Sequence, residues 1–325
     1  MKALIVQSAG APFEFVEVPR PEPAAGEVLV RIGASGVNPL DAKIRAGKAA
    51  HARHPLPAIL GIDLAGTVEA VGSGVSGWRR GDEVFGMTGG VGGVPGSLAQ
   101  FAAVDARLIA PKPAGISMRE AAALPLSFIT AWEGLVDCVG LHAGQSVLVL
   151  GGGGVGSMAV QIARAIGAQV HAAVKPSKAD RFRSYGAIPV NLAATTIDEV
   201  LAEYTNGRGF DVVYDTLGGG SLDAAFFAVK RFGHVVSCLG WGTHALATLS
   251  FKAATYSGVF TLLPLLTGEG REHHGGILRA AGELVEATKL RAPLDRRMFT
   301  LQSAAEAHGL IEQRRADGKL VVEID

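Results

Sequence analysis

The stretch Val147–Val160, "VLVLGGGGVGSMAV", restricts the fold of this chain more than any other segment. Alternating valine and leucine at 147–150 read as a short buried strand. Glycines follow, and "SMAVQIARAIGA" then carries the apolar spacing of a helix. G-x-G-x-x-G falls at Gly151, Gly153 and Gly156. In a turn of this kind the first glycine makes the tight bend. The second leaves the backbone open to close approach, and the third lets the helix pack on its strand. Gly154 and Val155 lie between them, where free N–H groups at the helix start would face an anion. The spacing alone is a weak signal in a chain with 44 glycines. Strand before and helix after, inside a βαβ unit, are the context a dinucleotide pyrophosphate requires.

The same rhythm continues along the chain. "QVHAAV" reads as a strand, "KADRFRSYGA" as a helix, "IPVN" as a strand and "TIDEVLAEYTN" as a helix. "FDVVYDTL", "SLDAAFFAVKR" and "HVVSCLG" repeat the alternation. Apolar strands separated by helices predict a parallel sheet covered on both faces. Residues before about 120 have a different pattern. Short alternating runs, "KALIVQ", "EVLVRI", "GTVEAVG", "DEVFGM" and "AQFAAV", are divided by Gly- and Pro-rich turns. They predict an all-β unit. After a last helix over 276–288, the tail ends in "KLVVEI", a strand that resembles the first part again. The expected division is therefore a β domain from 1–120 and 290–325, and a doubly wound domain from 121–289.

An acid about 20 residues beyond the glycine turn would bond the ribose of NAD. None occurs between Ser157 and Ala179. The second strand ends instead in "VKPSKADR", with Lys175, Ser177 and Lys178, then Arg181. Cations and a hydroxyl would receive a 2′-phosphate through charge-assisted hydrogen bonds. The residues therefore favour NADPH over NADH, with Asp180 the one acid beside the patch.

Composition excludes several other classes. Lys+Arg and Asp+Glu are 30 each, so no net basic field draws nucleic acid. Cys138 and Cys238 are the only cysteines, too few for a four-cysteine zinc site or a disulfide framework, and are expected as buried free thiols. The apolar stretch of "MKALIVQSAG" is too short for a signal peptide, and no run of about 18 apolar residues appears. The expected location is cytoplasmic.

Taken in order, "GEVLVRIGASGVNPLDAKIRAG", "PAILGIDLAGTVEAVGSGV", "GDEVFG", "AAALPLSFITAWEGL", "GGGGVG" and "GKLVVEI" resemble the medium-chain dehydrogenase/reductase superfamily. Within it they look like the zinc-independent quinone oxidoreductase, or zeta-crystallin-like, branch. The resemblance spans nearly the whole chain. It implies an α/β protein with a GroES-like β domain and a Rossmann doubly wound parallel-sheet domain, the cofactor in the cleft, and a homodimer joined at sheet edges. "HVVSCLG" and "SGVFTLL" are the candidate edge strands. Zinc-dependent relatives place ligands at positions that match Asn38, Ile62 and about Leu126, none of them a usual zinc ligand. No metal is expected.

The resemblance also implies roles. Asn38, in "ASGVNPLD", would bond the nicotinamide ribose or the acceptor carbonyl, or serve only as an Asn-Pro turn. Asp41 and Lys43 would orient each other or a proton path, or form a surface ion pair. Thr130, the Leu239–Gly240–Trp241 segment, Phe260 and Leu262 would approach the nicotinamide. Tyr256 would be a core or interface tyrosine or else a proton donor, and Asp63 a buried acid with a cationic partner. The expected function is hydride transfer from NADPH to a quinone. The alternatives are an enone or enoyl C=C reductase and a non-enzymatic NADPH-binding protein.

Overall fold

The alternating runs near the N-terminus form eight strands in the computed structural model, which describes Met1–Asp325 throughout. They are β1 (Lys2–Val6), β2 (Phe13–Glu17), β3 (Glu27–Val37), β4 (Ala58–Ile59), β5 (Asp63–Val71), β6 (Glu83–Met87), β7 (Phe101–Asp105) and β8 (Ile109–Pro111). The chain divides into two units, one of Met1–Leu126 with Leu262–Asp325 and one of Ser127–Thr261.

In the first unit β2, β1 and β4 make a three-stranded sheet. The larger sheet has the order β15-β16-β3-β5-β6-β8, with β7 also on β3; here β15 is Phe299–Thr300 and β16 is Leu320–Glu323. The tail does return to the β unit: Leu320–Glu323 pairs antiparallel with Ala34–Val37. Asn38 does not stand in a plain Asn-Pro turn. β3 runs through Val37, and helix α1 (Pro39–Arg45) begins two residues later. Proline at the first helical position gives up no needed hydrogen bond. Short α2 (Met118–Ala122) is opened by a Ser117–Glu120 capping box, and α3 (Pro125–Trp132) follows.

The second unit holds a six-stranded parallel sheet. Its strands are β9 (Ser146–Leu150), β10 (Gln169–Ala173), β11 (Ile188–Val190), β12 (Phe210–Asp215), β13 (Val229–Ser237) and β14 (Thr255–Gly258), in the order β11-β10-β9-β12-β13-β14. Helices α4 (Gly154–Ile166), α5 (Ala179–Ser184), α6 (Ile197–Thr205), α7 (Gly220–Ala228) and α8 (Ala247–Lys252) connect them. Leu148, Leu150, Val213, Phe226 and Val235 belong to one buried cluster. The order corrects one expectation: the "HVVSCLG" strand is internal, and only β14 of the two candidates is an edge.

Both domain boundaries move, the second by most. It lies at 261/262 because α9 (Leu263–Thr267) and α10 (Arg271–Glu286) pack in the first unit. Arg271 pairs with Asp105 at 2.8 Å; against burial, which pushes that carboxyl up, the hydrogen bonds from Arg107 and then Arg271 hold it down at about 2. A side chain at Gly275 would press within 2.4 Å of the Arg107 carbonyl. Helix α11 (Ala304–Glu312) completes the unit. His273 and His274 lie on α10. No disulfide joins the cysteines, and they are not buried as expected: Cys138 is exposed and Cys238 half-buried.

Candidate functional site

The glycine turn joins β9 to α4. Gly151 has φ +115°, and a Cβ there would come within 2.3 Å of Thr216 Oγ1. A Cβ on Gly156 would meet the Gly151 carbonyl at 2.0 Å, so only glycine lets the helix lie this close. Gly153, by contrast, has open space above it. It caps a 13-residue helix with no side-chain hydrogen bond to the helix start. This is an open cradle beneath free N–H groups and the positive end of a helix dipole. Gly154 and Val155 form the first residues of that helix. These residues fit the pyrophosphate of a dinucleotide.

Lys175, Ser177 and Lys178 stand together after β10, on a 3₁₀ turn over Pro176–Lys178 and its cap. Lys175 and Ser177 are exposed. Lys178 folds back and donates to the Gly152 carbonyl at 2.8 Å. Its ammonium therefore braces the glycine turn, a task the sequence does not reveal. Asp180 pairs with Arg183 at 2.6 Å.

One buried acid organises the neighbouring strand ends. Asp215, at the end of β12, accepts from the N–H groups of Leu217 and Gly218 and from the Ser237 hydroxyl, the last at 2.7 Å. The Leu239 N–H in turn donates to the Ser237 oxygen. Asp215 thus shapes the segment Leu239–Gly240–Trp241, although it was not singled out from the sequence. The acid at a strand end before "TLGGG" was the available signal. The Tyr256 hydroxyl lies where a Cβ on Gly240 would be, 2.1 Å away. Trp241 is 53% exposed and meets Phe260 edge-on at 6.1 Å between ring centres.

Thr130 is buried on α3. Its carbonyl accepts from the Tyr214 hydroxyl at 2.6 Å, and its own hydroxyl lies 3.1 Å from that of Thr261. Leu262 is buried in the first unit, capping α9.

Asn38, Asp41 and Asp63 converge in the first unit on a residue from the far end of the chain. Lys319 donates to the Asn38 side-chain oxygen and to Asp63 Oδ2, the latter at 3.0 Å. Asn38 Nδ2 donates to Asp63 Oδ2 at 3.0 Å, and the Leu126 N–H donates to Asp63 Oδ1 at 2.9 Å. The Asn38 N–H donates to Asp41 Oδ2 at 2.7 Å, closing a capping box. All four side chains are buried. Burial, and then the Asp63 charge, raise the Asp41 carboxyl to about 7 against the pull of the Asn38 N–H and of Lys319. Asp41 Oδ1 has no partner. The expected cationic partner of Asp63 is therefore Lys319. Lys43 does not serve Asp41: it is exposed, and it stands near His51, whose pKa is lowered first by burial and then by the Lys43 charge. Asn38 is 1% exposed, and its amide is spent inside this cluster.

Residues 24–114 match the family described as "Alcohol dehydrogenase GroES-like domain", and residues 190–322 match "Zinc-binding dehydrogenase". Over 310 residues the chain is 35% identical to 2-methylene-furan-3-one reductase of Solanum lycopersicum, covering 93% of this chain and 73% of that protein. The chain belongs to the medium-chain dehydrogenase/reductase superfamily. It is 33% identical to the NADPH-dependent alkenal/one oxidoreductase, chloroplastic, of Arabidopsis thaliana, again covering 93% and 73%. It is also 36% identical to the spectinabilin polyketide synthase system protein NorB of Streptomyces orinoci, of which it spans 14%. Among solved structures, an alcohol dehydrogenase superfamily protein from Novosphingobium aromaticivorans matches at 57% identity and TM-score 0.98, over the whole of both chains. The quinone oxidoreductase from Coxiella burnetii matches at 28% and 0.85, covering 100% and 99%.

This superfamily includes zinc-binding members, so the residues are tested for zinc. They do not fit it. Asn38 and Asp63 already share the Lys319 ammonium, which would repel a second cation, and Ile62 offers no donor atom. No cluster of three or more His, Cys, Asp or Glu is placed to hold a metal ion. No helix is long and apolar enough to cross a membrane.

Proposed function

We propose that this medium-chain dehydrogenase/reductase is an NADPH-dependent, zinc-independent reductase of activated acceptors, first among them α,β-unsaturated carbonyls. The glycine cradle followed by an acid-free strand end carries the cofactor part of this reading. Bound there, NADPH supplies the hydride. Gly153, Gly154, Val155 and Gly156 hold its pyrophosphate, and Lys175 and Ser177 receive the 2′-phosphate. Leu239–Trp241, Thr130, Phe260 and Leu262 are assigned to the nicotinamide end. Asn38 and Asp41 position their loop rather than touch the acceptor, since both are buried and bonded within the first unit.

The acceptor part rests on chemistry and on likeness. Asn38 and Asp63 are taken up by the Lys319 ammonium, so this reading supplies no Lewis acid to polarise an alcohol. An acceptor already electrophilic needs only positioning. Two relatives, of which the chain covers 73%, are named for a methylene-furanone and for alkenals and alkenones, compounds with a C=C activated by a carbonyl. Quinones are the second reading, favoured by the Coxiella burnetii structure. Steady-state NADPH oxidation against matched enones, enals and quinones tests both. Turnover of enones well above quinones supports the first reading, and the reverse order replaces it with the second. Tight NADPH binding without turnover of any acceptor would leave a non-enzymatic binding protein.

Cofactor choice has its own test. Lys178 braces the turn, so its loss should weaken both cofactors. Lys175→Glu should raise KM for NADPH roughly 10- to 100-fold, one or two charge-assisted bonds' worth, with little change for NADH. Equal effects on both would remove the 2′-phosphate assignment. The reading includes a cytoplasmic homodimer joined at β14, and light scattering of the purified protein decides between dimer and monomer.

A further inference from the structure

His244 lies three residues beyond Trp241 and touches the backbone of that segment. Its Nδ1 is 2.8 Å from Asp223 Oδ1, and its Nε2 is 3.3 Å from the Trp241 carbonyl oxygen. Asp223 belongs to the first turn of α7. Carboxylate and carbonyl oxygens accept hydrogen bonds and donate none. A neutral imidazole has a single N–H, so it would satisfy one oxygen and turn a lone pair toward the other. Only the imidazolium, with an N–H on each nitrogen, completes both contacts. The ring also stands edge-on to Phe226 at 6.2 Å, and its side chain is 11% exposed.

The charged groups facing the ring are Asp223 from α7 and Asp215 from the end of β12. Tyr256, from β14, packs edge-on against Phe226. The Asp223 hydrogen bond, then the Trp241 carbonyl and the two negative charges, raise the pKa of His244 above the ordinary 6.5 despite some desolvation.

We propose that His244 is a proton-operated clasp on the Leu239–Trp241 segment: as the imidazolium it ties the Trp241 carbonyl to Asp223, and on losing its proton it gives up one of the two contacts, which breaks that tie and loosens the hold on the acceptor. His244 is thus a positioning residue that acts through Trp241. The clasp stands on the two contacts alone. Its effect on the acceptor rests on the assignment of Leu239–Trp241 to the nicotinamide end. A group whose folded pKa is raised keeps its contacts at low pH and loses them as pH rises through that raised value.

Tryptophan fluorescence of the full chain, without cofactor, reads the clasp. Subtracting the signal of Trp241→Phe isolates Trp241 from the other two tryptophans. The Trp241 component should titrate in one step with its midpoint above 6.5. Asp223→Asn should lower that midpoint, and His244→Gln should abolish the step. A component that stays flat over about pH 5–9, or a midpoint that Asp223→Asn does not move, would overturn the clasp. The acceptor KM is the second readout. It should rise roughly three- to tenfold across the same midpoint, with kcat changed less, and should follow the midpoint in Asp223→Asn. A KM indifferent to pH while the fluorescence titrates would overturn the coupling and the placement of Trp241 near the acceptor. It would leave the clasp itself in place.

Discussion

Asn38 illustrates what one residue discloses in sequence and what it withholds. Its place after an apolar strand and before proline marks a backbone junction, and the junction is there. Its partner was not legible, because Lys319 lies 281 positions away and is an ordinary lysine in "DGKLVVEI". Asp63 did disclose itself in part: an acid amid "ILGIDLAG" has to be buried, and a buried carboxylate needs a cation. Two predictions follow from the cluster. Lys319→Met leaves Asp63 without its ammonium and should destabilise the protein by about 3–5 kcal/mol in urea unfolding. Adding Asp63→Asn should recover much of that loss; no recovery would show that the pair is not the cause. For Asp41, folding takes up a proton, because its folded pKa of about 7 exceeds the ordinary 3.8. Its contribution to stability therefore falls as pH rises from about 4 to about 7. Asp41→Asn should gain stability relative to the parent across that window, by about 1–3 kcal/mol at its upper end. A difference that stays constant with pH would place the Asp41 charge elsewhere.

At the scale of elements, periodicity identified most strands and several helices but not how they end. β13 begins at Val229 rather than at His234, because Phe232 adopts a positive φ of 58° and carries the strand through "VKRFG". A glycine or asparagine there would have announced the bend. The helical run after Pro125 likewise hides a change of pitch. α3 passes into a π-helical segment over Glu133–Cys138, where Glu133 accepts from the Thr261 hydroxyl at 2.7 Å. Such widened turns leave no signature in apolar spacing. Gly134 lies in this segment against the Tyr214 ring, 2.8 Å from where its Cβ would be. Both groups are hemmed in, since the Tyr214 hydroxyl is tied to the Thr130 carbonyl. Gly134→Ala should cost about 1–3 kcal/mol in stability, read by denaturant unfolding. A neutral effect would mean that the ring can yield.

For the whole molecule, the two-part plan was legible because the hydrophobic period changes near residue 120. The return of the tail was legible from its strand pattern alone. The second boundary was not. α9 and α10 continue the helical texture of the preceding segment, and only contacts such as Arg271 with Asp105 assign them to the first unit. The first unit is closed by its last strand, β16, which lies between β15 and β3 and brings Lys319 to Asp63. Deleting Lys319–Asp325 should therefore leave residues 1–126 sensitive to protease while the continuous segment 127–261 resists it. Uniform sensitivity, or uniform resistance, would contradict this division.

The position of β16 also sets an order of events during synthesis. The ribosome completes every residue of the second unit before it makes the lysine that the first unit needs. Until then Asp63 has no ammonium, and the strand segment Ala34–Val37 lacks its neighbour on that side. The nascent first half must wait with a carboxylate that it can keep hydrated but cannot pair. Its final sheet can close only after the residues of the second unit have been made.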